Sequence, residues 1–193
     1  IFSPCMRNIV SILFILFPYM LVAQNSETIS LNEGWQLKLA GNSFQNVQDG
    51  SPFSQWQEAT VPGSVQSNLI RQGLLPDPYY GTNEKEVQWV ENVNWDFKTT
   101  FLIFAHQLEY DDALISFEGL DTHADVFLNG SRILQTDNMF IGHKIPVKKL
   151  LKEGENNLYI RFYSPIKRMM PARETFGYEY PAGNDHREEK LSV

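Results

Sequence analysis

Asp125-Val126-Phe127-Leu128-Asn129-Gly130-Ser131-Arg132-Ile133-Leu134 is the stretch that decides the fold. Two apolar runs flank an Asn-Gly pair. A type I′ turn needs positive φ at both central residues, which Asn followed by Gly supplies at least cost, so the stretch reads as a β-hairpin. Outward from it the sequence keeps a period of two. Upstream, residues 113–117 form an apolar strand stopped by Gly119, and 95–104 form another with Trp95, Phe97, Phe101 and Ile103 facing inward. Trp35-Gln36-Leu37-Lys38-Leu39 alternates in the same way; downstream, 140–147 reads as a further strand and 157–163 alternates again. Helices are few: Ser64 caps one over 65–72 that Gly73 closes, and a single turn is expected over 147–151, ahead of Gly154. Many short strands divided by turn residues predict an all-β sandwich rather than an α/β fold.

Three segments break the pattern. Residues 77–94 are polar and aromatic without steady alternation, and read as a long structured excursion of the kind that carries function or an interface. The tail over 167–193, with Pro171, Pro181 and Gly183, reads as irregular. At the other end, Met6, Arg7, the apolar run 9–23 and the small-residue site Leu21-Val22-Ala23 read as a signal peptide. It spans residues 1–23 with its start at Met6 and leaves Gln24 as the first mature residue. The run is shorter than the ~20 residues that cross a bilayer, so the expectation is a secreted or periplasmic product with no membrane attachment after cleavage.

The 193 residues suit one mature domain, 24–193, and a 42% hydrophobic content can fill its core. The formal net charge of -7 argues against a nucleic-acid surface. Cys5 is the one cysteine and precedes Met6, which excludes disulfides, thiolate metal sites and a cysteine nucleophile from the mature chain. His106, His123, His143 and His186 lack metal-ligand spacing, and no glycine-rich phosphate loop occurs, so neither a metal nor a cofactor is expected. Glu84 and Glu86, if on a strand, would share one face roughly 7 Å apart. Double-displacement glycoside hydrolysis needs carboxyls about 5–5.5 Å apart, and a polar loop is the better reading of this pair. Tyr79, Tyr80, Trp89 and Trp95 have rings that suit sugar stacking, with burial in the core or an interface as the ordinary alternative.

The run from Gly119 to Gly130, Gly-Leu-Asp-Thr-His-Ala-Asp-Val-Phe-Leu-Asn-Gly, resembles the central hairpin of the galactose-binding-like jelly roll that opens family 2 glycoside hydrolases. Trp56, Ala59 and Val61-Pro62-Gly63-Ser64-Val65 are similar to that domain's W-x-x-A-x-V-P-G segment, and Gly154 to Phe162 to its late strand. Pro76-Asp77-Pro78-Tyr79-Tyr80-Gly81-Thr82-Asn83-Glu84, Gln88-Trp89-Val90, Trp95 and Pro181-Ala182-Gly183-Asn184-Asp185 narrow the resemblance to the β-mannosidase branch.

The resemblance implies a jelly-roll β-sandwich, galactose-binding-domain-like, that stops before its own end near Leu191-Ser192-Val193. It implies the N-terminal, non-catalytic part of a secreted β-mannosidase that removes terminal non-reducing β-D-mannose with retention. The two catalytic glutamates of that family stand on a (β/α)8 barrel later in the chain, so no catalytic residue is expected here. The implied partners are a β-mannoside oligosaccharide or glycoprotein glycan, and the protein's own barrel. One site residue carries over: Asn83, after Tyr80-Gly81-Thr82, matches a loop asparagine that approaches substrate in related enzymes. Its amide offers two N–H groups and two acceptor lone pairs to a sugar hydroxyl. The alternative is that it holds the loop through backbone bonds. An exo-β-glucosaminidase or another family 2 glycosidase, a stand-alone carbohydrate-binding module and a sandwich with no sugar contact remain as rival functions.

Overall fold

The computed structural model describes residues 26–41 and 51–176. The expected signal peptide at 1–23 and the expected strand start at 191–193 lie outside the described residues. Strands β1 (Trp35–Leu39), β2 (Gln57–Ala59), β3 (Trp95–Ile103), β4 (Leu114–Phe117), β5 (Ala124–Leu128), β6 (Ser131–Thr136), β7 (His143–Pro146) and β8 (Gly154–Phe162) form two sheets. One has six strands in the order β2-β1-β3-β8-β5-β6, the other pairs β4 with β7, and the described pairings are antiparallel. The fold is the all-β sandwich that the alternation predicts, in the jelly-roll form that the resemblance implies. Short helices α1 (Val65–Arg71), α2 (Asn83–Val87) and α3 (Pro165–Phe176) lie in the connections.

Register fixes which side chains meet. Leu37, Phe97, Ile160, Val126 and Leu134 stand opposite one another across five strands and face the core. Leu37, Val126, Leu128 and Leu158 are fully buried there, each worth about 1.5–3 kcal/mol relative to exposure. A one-residue slip would bring Lys38, Asp96, Arg161, Asp125 and Gln135 inward instead, so the pattern pins the register.

The deciding hairpin forms as read. Asn129 has φ +50° and Gly130 φ +83°. Asn129 does more than turn the chain: its Nδ2 donates to Leu150 O and to Asn156 Oδ1, both at 2.8 Å, and its Oδ1 accepts the Asn157 N–H at 2.9 Å. Asn156, fully buried, donates in turn to Lys152 O and Gly154 O. The α1 cap is also as read, with Ser64 and Ser67 exchanging side-chain to backbone bonds and Gly73 at φ +71°.

The structure departs from the sequence reading at several points. The strand expected from Phe140 begins only at His143, because Asn138 Oδ1 accepts the Phe140 N–H and turns the chain. The tail read as irregular from 167 is α3 as far as Phe176; Ser164 caps it by accepting the Lys167 N–H, Pro165 suits the first turn, and the helix continues past Pro171. Phe101 is half-buried rather than fully inward, near the end of β3. Among the described residues no helix is long and apolar enough to cross a membrane.

Candidate functional site

The excursion over 77–94 is helical rather than extended: α2 is followed directly by a 3-10 turn over Gln88–Asn92. Its tip is closed by local hydrogen bonds. Asp77 Oδ1 accepts the Tyr79 N–H at 3.0 Å, and Asp77 O accepts the Tyr80 N–H at 3.2 Å. Gly81, at φ +61°, allows the chain to reverse, and a Cβ there would meet nothing within 4 Å, so the need for glycine is one of backbone conformation alone.

Asn83 is the first residue of α2. Its backbone N–H goes to Tyr80 O, and its Nδ2 donates to Asp77 O at 2.9 Å. The amide of the expected site residue therefore spans the base of the tip and holds it shut. Its Oδ1 has no partner among the described residues. Glu84 and Glu86 fall on α2, not on a strand, and residues two apart on a helix point away from each other. The strand geometry that would have paired them does not arise.

The four aromatic candidates separate into two kinds. Trp95 is buried and donates from Nε1 to Val90 O at 3.1 Å. Trp89 packs between Trp95 and Phe53, with centroids 6.0 and 5.0 Å away. Both tryptophans thus anchor the excursion. Tyr79 and Tyr80 instead lie 96% and 78% exposed at its tip. The far end is tied to the last strand as well: Ser164 Oγ donates to Glu91 O and Ser164 N to Asn94 Oδ1, at 2.7 and 2.8 Å. A rigid base and a solvated aromatic tip are what a loop built to touch something outside this domain requires.

Register shows what shares that end of the sandwich. Trp95, Phe162, Ala124 and Thr136 lie in one cross-strand row, so the excursion, α3 and the loops before β5 and after β6 all leave the same end. The loop after β6 carries Met139, Phe140 and Ile141, all exposed, with Phe140 84% so. Reading Phe140 into a strand concealed this patch; the signal for it was Asn138, whose side chain favours a turn.

The outer face of the large sheet carries a polar network that the alternation placed outward without revealing its depth. Arg161 grips Asp96 with two bonds, Nε to Oδ1 at 2.8 Å and Nη2 to Oδ2 at 3.0 Å, and also donates to the Tyr159 hydroxyl. Asp96 is only 2% exposed. Tyr163 Oη donates to Asp125 Oδ2 at 2.7 Å. Burial, then the Asp96 carboxylate, holds the Tyr159 phenol far above its usual range; burial, then Asp125, raises Tyr163. The Asp96 carboxylate also raises Arg161, outweighing the opposing effect of burial. Lys38 and Lys98 lie over the Trp56 ring at 4.7 and 4.3 Å from its centroid. The Asp96–Arg161 pair ties β3 to β8.

Residues 35–192 match the family model of the glycosyl hydrolase 2 galactose-binding domain-like domain. The chain is 39% identical over 140 residues to beta-mannosidase B of Thermothelomyces thermophilus, covering 72% of this chain and 15% of that protein. Against the crystal structure of beta-D-mannosidase from Dictyoglomus thermophilum the identity is 37% and the TM-score 0.73, over 83% of this chain and 18% of that one. The exo-chitosanase of Amycolatopsis orientalis shares the fold at 21% identity and a TM-score of 0.54, over 67% and 16% of the two chains. The chain thus spans about a sixth of the length of the curated relatives it matches.

Proposed function

Because this chain belongs to the glycosyl hydrolase 2 galactose-binding domain-like family, we propose that it is the N-terminal, non-catalytic sandwich of a β-mannosidase. In this reading the whole enzyme releases terminal non-reducing β-D-mannose from an oligosaccharide or glycoprotein glycan with retention, by carboxylates on a barrel outside this chain. The observation that carries the reading is the 37% identity to a solved β-D-mannosidase over 83% of the chain. The solvated Met139-Phe140-Ile141 tip supports it, because an exposed apolar cluster marks a surface that another body covers. The occupant in this proposal is the enzyme's own barrel.

Two further parts belong to the proposal. Asn83 contacts substrate through its unpartnered Oδ1 while its Nδ2 holds the tip closed. Residues 1–23 direct export to the periplasm or medium, which the order of basic flank, apolar run and small-residue cut site supports.

The test uses the whole enzyme and this chain side by side. The whole enzyme is expected to release nitrophenol from the aryl β-D-mannoside, and to leave the α-anomer and the aryl β-D-glucosaminide nearly untouched. The isolated chain is expected to release none above a protein-free control. Faster turnover of the glucosaminide, or any activity of the isolated chain, overturns the assignment.

A further inference from the structure

The tip of the excursion presents two rings whose use the proposed function leaves open. A tyrosine that is 96% exposed beside one that is 78% exposed leaves two large faces in water, on a backbone with little freedom to bury them. Asp77 holds the Tyr79 and Tyr80 amides, Asn83 holds Asp77, and the tryptophan pair anchors the other end. The cost of ordering the rings' support is therefore met before anything binds.

The surroundings select among possible occupants. Thr82, Glu84, Lys85 and Glu86 follow the tyrosines closely in the chain and are all exposed, so polar groups of both charges flank the tip. The Met139-Phe140-Ile141 tip, by contrast, places three apolar side chains together. An apolar cluster suits a protein surface. Exposed aromatic faces flanked by polar side chains suit a pyranose, whose C–H face stacks on a ring while its edge hydroxyls hydrogen-bond outward.

Resting on the β-mannosidase reading, we propose that Tyr79 and Tyr80 form the stacking platform for the leaving-group saccharide, and so determine specificity for chain length rather than for the mannose being released. In this proposal the tip reaches the sugars that follow the released mannose. Asn83 is then both a contact and the positioning residue for the platform.

The experiment compares Tyr79→Ala, Tyr80→Ala and Tyr79→Phe in the whole enzyme on mannotriose and on β-mannosyl fluoride, whose leaving group has no ring to stack. Each alanine variant is expected to lower kcat/KM on mannotriose about five- to tenfold, as loss of one aromatic contact does, with the fluoride within about twofold of wild type. Tyr79→Phe keeps the face and is expected to keep the mannotriose rate. Equal losses on both substrates, or no loss on either, overturn the platform while leaving the mannosidase assignment intact. A wild type inactive on both mannosides overturns the assignment, and the platform with it. Melting temperatures of the variants are expected to match wild type, since neither ring is buried.

Discussion

Replacing Asn129 with alanine tests the claim that one turn residue locks the hairpin, the β8 start and the 148–150 turn together. The side chain makes three hydrogen bonds, to Leu150 O, Asn156 Oδ1 and Asn157 N. At about 1 kcal/mol each these would contribute about 3 kcal/mol. Asn157 is exposed and water replaces its partner, while Asn156 Oδ1 keeps the Lys152 N–H, so the retained loss is nearer 2 kcal/mol. Alanine at φ +50° adds about 1 kcal/mol of backbone strain that asparagine tolerates better. The sum is about 3 kcal/mol, or a drop of roughly 6–12 °C in Tm for a domain of this size. Asn129→Gly removes the same bonds without the strain and should be about 1 kcal/mol less damaging. Urea denaturation followed by tryptophan fluorescence reads both. A loss below about 1 kcal/mol in the alanine variant, or a glycine variant as unstable as it, would refute the account.

Arg161→Met strands the buried Asp96 carboxylate and should cost about 3 kcal/mol, the lower end for broken buried pairs because the Arg161 side chain is 39% exposed. Adding Asp96→Asn should recover part of that in the same denaturation assay; a double variant no better than the single would oppose the pairing. The phenols of Tyr159 and Tyr163 are both raised, so the native state holds their protons where the unfolded chain, ionising near pH 10, releases them. Their contribution is whole below that value and is lost as pH climbs beyond it. A fall in Tm through the alkaline range is therefore expected, shallower in a Tyr159→Phe/Tyr163→Phe double variant.

Much of the fold was legible because period-two alternation and the register it imposes are one constraint seen twice. Trp95, Phe97 and Ile103 had to face inward once Lys98, Thr100 and Leu102 faced out. What escaped was governed by side-chain to backbone bonds with no periodic trace. Asn138 turns the chain before Phe140, and Ser164 starts a helix ahead of Pro171 that looked like a breaker. β2 is only three residues long, too short for alternation to register, and its strand character comes from pairing with β1. The depth of Asp96 and Asp125 was hidden for another reason: alternation assigns a face, and only the tertiary neighbours decide whether that face is wet.

The same limit explains why the candidate site was half-read. Residue types alone could not divide Tyr79, Tyr80, Trp89 and Trp95 between rings that face a sugar and rings buried in the core or an interface. The fold spends the tryptophans on anchorage, where both rings pack and the Trp95 N–H finds a partner, and leaves the tyrosines, whose hydroxyls tolerate water, outside. A loop that must reach beyond its own domain needs both parts. A tip without an anchor would lose its contact energy to ordering, since each residue fixed costs about 1–2 kcal/mol. An anchor without a tip would have no reason to depart from the sandwich for so many residues. Asn83 sits where the two meet, with one end of its amide committed to the loop and the other unclaimed. That division makes a change at Asn83 alter both the shape of the tip and whatever it touches, whereas a change at Tyr79 alters the contact alone.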